Sequence, residues 1–173
     1  MTPDEYHHVL TFAARAHGEQ RTPHGLPYLT HLCMVAREVE EALAHRPDLD
    51  RDLAVRCALL HDVVEDTPVS PDEVAATFGA AVAAGVLALT KDRGLPKPER
   101  MPDSLRRIRA QPSEVAAVKM ADRIVNLGPP PPHWSLERQE AYRAEAQTLL
   151  DALGFADETL AARLSDRIAA YPP

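Results

Sequence analysis

The chain has 173 residues, 45% of them hydrophobic and 26% charged, as in an ordinary globular protein with a core of its own. Its formal net charge of −7 excludes the basic footprint of a nucleic-acid or acidic-membrane binder. An anionic ligand therefore has to be met by a local group of Lys and Arg, or by a metal. Aromatics make up only 5%, which favours packed helices over sheet.

Taken in order, Tyr6, Val9, Leu10, Ala13 and Ala16 make the first helical stripe. A loop follows at "GEQRTPHGLPYLTH", where Pro23, Gly25 and Pro27 break the period. Helices are expected over 31–44 and 51–65, the second stopped by Thr67-Pro68. "SPDEVAATFG" carries its own punctuation, with Ser70 as cap, Pro71 in the first turn, Glu73 as capping-box partner and Gly79 as stop. A helix over 80–90 precedes "KDRGLPKPERMP", which reads as loop, and a short helix over 103–110. Ser113 is expected to cap a helix whose apolar face is Val115, Val118, Ala121, Ile124 and Val125. Two more helices, 135–153 and 156–170, follow the prolines at 129–132. Nothing alternates as a strand, so the expected fold is all-α, a compact helical bundle. The segment after the prolines, about 40 residues, is marginal for an independent core; residues 1–173 are expected to form one domain.

The N-terminus has no basic region followed by a long apolar run, and no segment approaches the ~18 apolar residues of a membrane span. Cys33 and Cys57 sit among apolar neighbours and read as buried free thiols, which fits a reducing compartment. The expected location is cytoplasmic.

The chemistry gathers in "ALLHDVVEDT", residues 58–67, where His61, Asp62, Glu65 and Asp66 interrupt an apolar run. Burying unpaired charge is costly, so such a cluster needs compensation: a bound cation, or the water around a helix end. On one helix His61 and Glu65 share a face, as do Asp62 and Asp66. Two ligands would then hold an ion while two acids one turn later reach its water. Two ligands do not complete a site. His31 stands at a loop-to-helix junction and Asp122 inside an otherwise apolar helix, where Asp is disfavoured. Asp122 has the alternative of pairing with Lys119 or Arg123. His7, His8, His17, His24, His45 and His133 read as solvated.

With these residues in view, the chain resembles the HD-domain metal-dependent phosphohydrolases, and within them the hydrolase domain of the RelA/SpoT alarmone enzymes. "AARAHGEQRTPHGLPYLTH", "ALLHDVVEDT", "FGAAVAAGVLALTKD" and "VKMADRIVNL" occur in the family's order and spacing. The small single-domain SpoT homologues look most similar. They share the loop with Leu95, Pro96, Lys97, Glu99 and Arg100, and the set Trp134, Ser135, Arg138 and Tyr142. The chain departs from the longer enzymes at Leu32, where they commonly have Pro, and at Val125, where they have His. A separate synthetase domain is not expected.

The resemblance implies a metal held by His31, His61, Asp62 and Asp122, usually Mn²⁺ in the family. Two imidazoles and two carboxylates suit a borderline-hard cation that keeps open positions. It implies that Glu65 and Asp66 position and deprotonate the attacking water, with Arg21, Lys97, Asn126, Arg138 and Tyr142 as substrate-binding candidates. Trp134 reads first as a cover for the core and second as a platform on which a base could stack. The implied reaction is hydrolysis of guanosine 3′,5′-bispyrophosphate (ppGpp, or its pentaphosphate) to GDP or GTP and pyrophosphate. The rival readings are another nucleotide phosphohydrolase on the same scaffold, acting on adenine alarmones, the 2′-phosphate of NADPH or monophosphates, and a non-catalytic nucleotide-binding module. Oligomeric state is not readable.

Overall fold

A computed structural model describes residues 1–172 as ten α-helices and one 3₁₀ turn, with no strand among the described residues. The helices are α1 (Pro3–His17), α2 (Tyr28–Ala42), α3 (Arg51–Leu60), α4 (Val63–Asp66), α5 (Pro71–Phe78), α6 (Ala80–Leu89), α7 (Lys97–Arg109), α8 (Ser113–Asn126), α9 (Leu136–Leu153) and α10 (Glu158–Ala170). No helix among them is long and apolar enough to cross a membrane.

The hub is α8. Every residue from Glu114 to Ile124 is buried, because α2, α3, α6, α7, α9 and α10 all pack on it. A helix surrounded on all sides has no solvent face for polar residues, so Lys119, Asp122 and Arg123 must satisfy one another or a neighbouring helix. α6, "AAVAAGVLAL", is apolar all round and reaches α3 and α8 only because Gly85 lacks a side chain. A Cβ there would stand 2.7 Å from Cys57 Sγ and 3.2 Å from Val115 Cγ2. α10 returns over α8 and α2, held at its start by Asp157, which accepts from Leu160 N–H and pairs with Arg46 at 3.0 Å.

Local signals explain most element ends. Thr2 and Glu5 form a capping box on α1, and Asp50 caps α3. Ser70 accepts from Glu73 N–H, and Gly79 ends α5 at φ +94°, where a residue with a side chain would be strained.

Four expected boundaries move. α2 begins at Tyr28, since Pro27 already has the extended backbone of an N-cap. The stretch expected as one helix over 51–65 breaks at His61–Asp62. α7 starts at Lys97 rather than 103, with Pro98 in the first turn, where a missing N–H costs nothing. Pro102 then removes a single bond, the one that would have gone to the Pro98 carbonyl. Ser113 is the first residue of α8, capped by no side chain, and Pro112 takes the N-cap position. Both cysteines are free, but only Cys57 is buried; Cys33 is half-buried.

Candidate metal centre

α3 runs into the core through Ala58, Leu59 and Leu60 and ends there. The end of a helix leaves carbonyls open, and His61 Nδ1 donates to one of them, Ala58 O, at 2.8 Å. That bond fixes the ring and turns Nε2 inward, as a metal-binding imidazole requires. Neighbours on an unbroken helix point about 100° apart. The break at Asp62 (φ −103°, ψ −1°) cancels that divergence and leaves Asp62 Oδ2 2.9 Å from His61 Nε2. The shared face expected for His61 and Glu65 belongs to a continuous helix and is lost. Asp62 and Asp66 keep theirs, through the 2.9 Å bond from Asp66 N–H to Asp62 O.

Two further elements complete the cluster. His31, in the first turn of α2, brings Nε2 to 3.3 Å from His61 Nε2 and 3.8 Å from Asp62 Oδ2. Asp122 on α8 brings Oδ1 to 3.4 Å from His31 Nε2 and 3.7 Å from His61 Nε2. Bonds of about 2.1 Å at tetrahedral or octahedral angles set donor atoms roughly 3.0–3.4 Å apart. The five separations that include a histidine, 2.9 to 3.8 Å, bracket that range, and His31, His61 and Asp122 all lie within 4.8 Å of one another. His31, His61 and Asp122 are buried and Asp62 is 20% exposed, so the cluster sits just beneath the surface with Asp62 at its mouth.

The charges show what the cluster favours. Burial works against an imidazolium at His61, yet Asp62 and Asp122 outweigh it and push the pKa up to about 10. Burial likewise opposes ionisation of Asp62 and Asp122. The positive groups around them, His61 for the first and Lys119 with the histidines for the second, win and hold both carboxyls well below the usual range. The site therefore draws positive charge to the point between its imidazoles. A divalent cation in place of that proton fits the donor set.

Asp122 does pair with Lys119, at 2.9 Å, but through Oδ2, on the side away from the histidines. Of the two alternatives read from sequence the ion pair with Lys119 is present, and it leaves Oδ1 beside the histidines. Lys119 is buried, and although burial opposes its charge, Asp122 raises its pKa above the ordinary lysine value. Asn126 Nδ2 donates to Asp122 Oδ1 at 2.5 Å, one helical turn on, so that residue joins the cluster.

Glu65 and Asp66 face the segment between α6 and α7. Lys91 N–H donates to Glu65 Oε2 at 2.9 Å, and Arg93 Nη2 lies 2.9 Å from Asp66 Oδ1 and 3.9 Å from Glu65 Oε1. Arg138 and Tyr142 share a face of α9 within a layered stack. Arg138 lies over Trp134 at 4.2 Å, Trp134 meets Tyr142 edge-on at 5.2 Å, and Arg123 lies over Tyr142 at 4.2 Å. Tyr142 is close enough to feel Asp122. Burial chiefly, with that charge adding and Arg123 opposing, pushes its hydroxyl up to about 12. Trp134 is half-buried, so it is neither a core residue nor a bare platform.

Two expected binders are not brought to the cluster. Arg21 is exposed and donates to Gly25 O at 3.0 Å, occupied with its own loop. Lys97 is exposed at the first position of α7. His17, read as solvated, is buried. It lies at the end of α1 with its ring stacked on Tyr28, centroids 4.7 Å apart. Stacking hides it, and only the loop that folds Tyr28 back over α1 could have revealed that. Sequence reading also passed over Tyr28, whose hydroxyl donates to Asp62 Oδ2 at 2.5 Å. Its place three residues before His31 was the available signal, since i and i+3 share a helix face.

Known proteins resemble this chain in sequence and in fold. The chain is 34% identical over 151 residues to the guanosine-3′,5′-bis(diphosphate) 3′-pyrophosphohydrolase MESH1 of Danio rerio, across 84% of this chain and 82% of that one. It is 38% identical over 137 residues to the Homo sapiens protein of the same name, across 76% and 74%. A solved structure described as a metazoan ortholog of SpoT that hydrolyzes ppGpp superposes with a TM-score of 0.81. It covers 98% of this chain and 96% of its own at 28% identity. Residues 10–154 match the family described as HD domain, a span that contains the His61-Asp62 pair and both of its distant partners. On that match and on the shared helical frame, the chain belongs to the HD domain family.

Proposed function

We propose that this chain is a Mn²⁺-dependent hydrolase of guanosine 3′,5′-bis(diphosphate), cleaving the ester at the 3′ oxygen to give GDP, or GTP from the pentaphosphate, and pyrophosphate. One observation carries the reading: His31, His61 and Asp122, from three separate helices, bring donor atoms within 4.8 Å of one another, and Asp62 adds a carboxylate 2.9 Å from His61 and 3.8 Å from His31. The similarity to proteins named for that reaction supports the choice of substrate.

His31, His61, Asp62 and Asp122 would hold the cation. When bound there, a divalent ion supplies Lewis-acid chemistry, neutralising phosphoryl oxygens and lowering the pKa of water. Lys119 and Asn126 keep Asp122 aimed inward. Glu65 and Asp66 accept the proton of the attacking water. Their contacts with Lys91 and Arg93 hold them in place and keep a cation beside the negative charge that gathers there. Arg138 on Trp134, with Tyr142 behind, offers a cationic and aromatic wall for a phosphorylated nucleoside.

The test is product analysis. Purified protein with Mn²⁺ and ppGpp is expected to release pyrophosphate and GDP, and Glu65→Ala to slow turnover by roughly 10²–10⁴-fold. Orthophosphate as product would make the chain a phosphatase on the same scaffold. Tight binding without turnover would make it a sensor. Either result overturns the proposal.

A further inference from the structure

Three of the four donors are held by groups outside the cluster. His61 is tied to Ala58 O, Asp122 to Lys119 and Asn126, and His31 is packed into the buried face of α2. Asp62 differs. It occupies the N-cap position of α4, yet its carboxylate makes no capping bond, and at 20% exposure it is the most accessible of the four. A short side chain at the mouth of a site, unheld by its own backbone, is free to rotate outward.

Tyr28 prevents that. It is the first residue of α2, and its hydroxyl crosses 34 positions of sequence to donate to Asp62 Oδ2 at 2.5 Å. Among the described residues it is the one partner of Asp62 outside the donor cluster. A phenol hydroxyl beside a carboxylate can only donate to it. A carboxylate offers about four acceptor directions; one spent on the phenol leaves the others for a cation. The ring is fixed in turn. His17 stacks on it at 4.7 Å and 24°, and His17 Nδ1 is 2.7 Å from Gln20 Oε1. Gln20 also accepts the Tyr28 N–H through its carbonyl, at 2.9 Å.

We propose that Tyr28 is a positioning residue of the metal centre: its hydroxyl fixes Asp62 for the cation, and His17 with Gln20 fixes Tyr28. The inference rests on the metal centre proposed above. Wild type and Tyr28→Phe are titrated with Mn²⁺ alone by calorimetry, and each is melted in chelator. Phe keeps the ring and its stack but loses one hydrogen bond to a carboxylate, so the metal-free Tm is expected to fall by about 3–6 °C, while Mn²⁺ affinity falls roughly 10- to 100-fold. His17→Ala is expected to weaken Mn²⁺ binding in the wild-type background and to add nothing on the Tyr28→Phe background. Wild-type affinity in Tyr28→Phe overturns the role of the hydroxyl, and additive losses overturn the role of His17. If wild type itself binds no Mn²⁺, the metal centre falls and this inference falls with it.

Discussion

Lys119→Met separates a structural ion pair from a metal centre. Methionine keeps most of the side-chain volume in the core and removes the charge that lies 2.9 Å from Asp122 Oδ2. Breaking a buried pair by deleting one partner costs about 3–5 kcal/mol, because the other charge is left uncompensated. Asp122 retains Asn126 and the His61 side as partners, so the lower end, about 3 kcal/mol, applies in chelator. For a chain of this size that lowers the Tm by about 6–12 °C. With Mn²⁺ bound, the negative charge that Lys119 offset is met by the cation, and the loss should shrink to about 1 kcal/mol. The difference of about 2 kcal/mol requires Mn²⁺ to bind the variant roughly 30-fold more tightly than wild type. Urea or thermal unfolding with chelator and with saturating Mn²⁺, joined to calorimetric titration, measures every leg of that cycle. Equal losses in the two conditions would refute the reasoning, since Lys119 and the cation would then not be sharing one carboxylate.

Mn²⁺ at a hundred times its Kd should stabilise wild type by about 2.7 kcal/mol and raise its Tm by about 5–10 °C; Asp122→Ala should abolish the rise in the same scanning experiment. Gly85→Ala should cost about 1–3 kcal/mol in urea unfolding, because the new methyl meets Cys57 Sγ at 2.7 Å, and Cys57→Ala added to it should recover part of the loss. Ser70→Ala removes the side chain that accepts from Glu73 N–H and should lower stability by about 1 kcal/mol without changing turnover or Mn²⁺ affinity. Trp134→Ala removes the face on which Arg138 lies at 4.2 Å and should raise KM more than it lowers kcat in steady-state assays, as expected for a group that binds but does not react.

Amino-acid order alone dictated what depends on near neighbours along the chain. The Ser70 cap and the Gly79 stop follow from hydrogen-bond and backbone rules that act over a few residues. So does the oddity of Asp122: an acid amid Val, Ala, Met and Ile has to be answered by something, whatever the fold. The nomination of His31 and Asp122 as partners of His61-Asp62 came from such oddities together with a family resemblance. Their meeting at 3.3–3.8 Å is a property of how α2 and α8 cross the end of α3.

Only the tertiary structure decided the rest. The break at His61–Asp62 breaks no propensity rule; it is stabilised by a ring bond to Ala58 O and by packing of the segment on its neighbours, so a helical reading ran straight through it. Lys97 looked like loop because two prolines flank it, yet both positions are ones that a first turn tolerates. His17 and Tyr28 are 11 positions apart across a Gly- and Pro-containing loop, and nothing local says that the loop closes to stack them. Side chains that act across such loops answer to where helices pack, a sum over many weak contacts, whereas caps and stops answer to bonds within one turn.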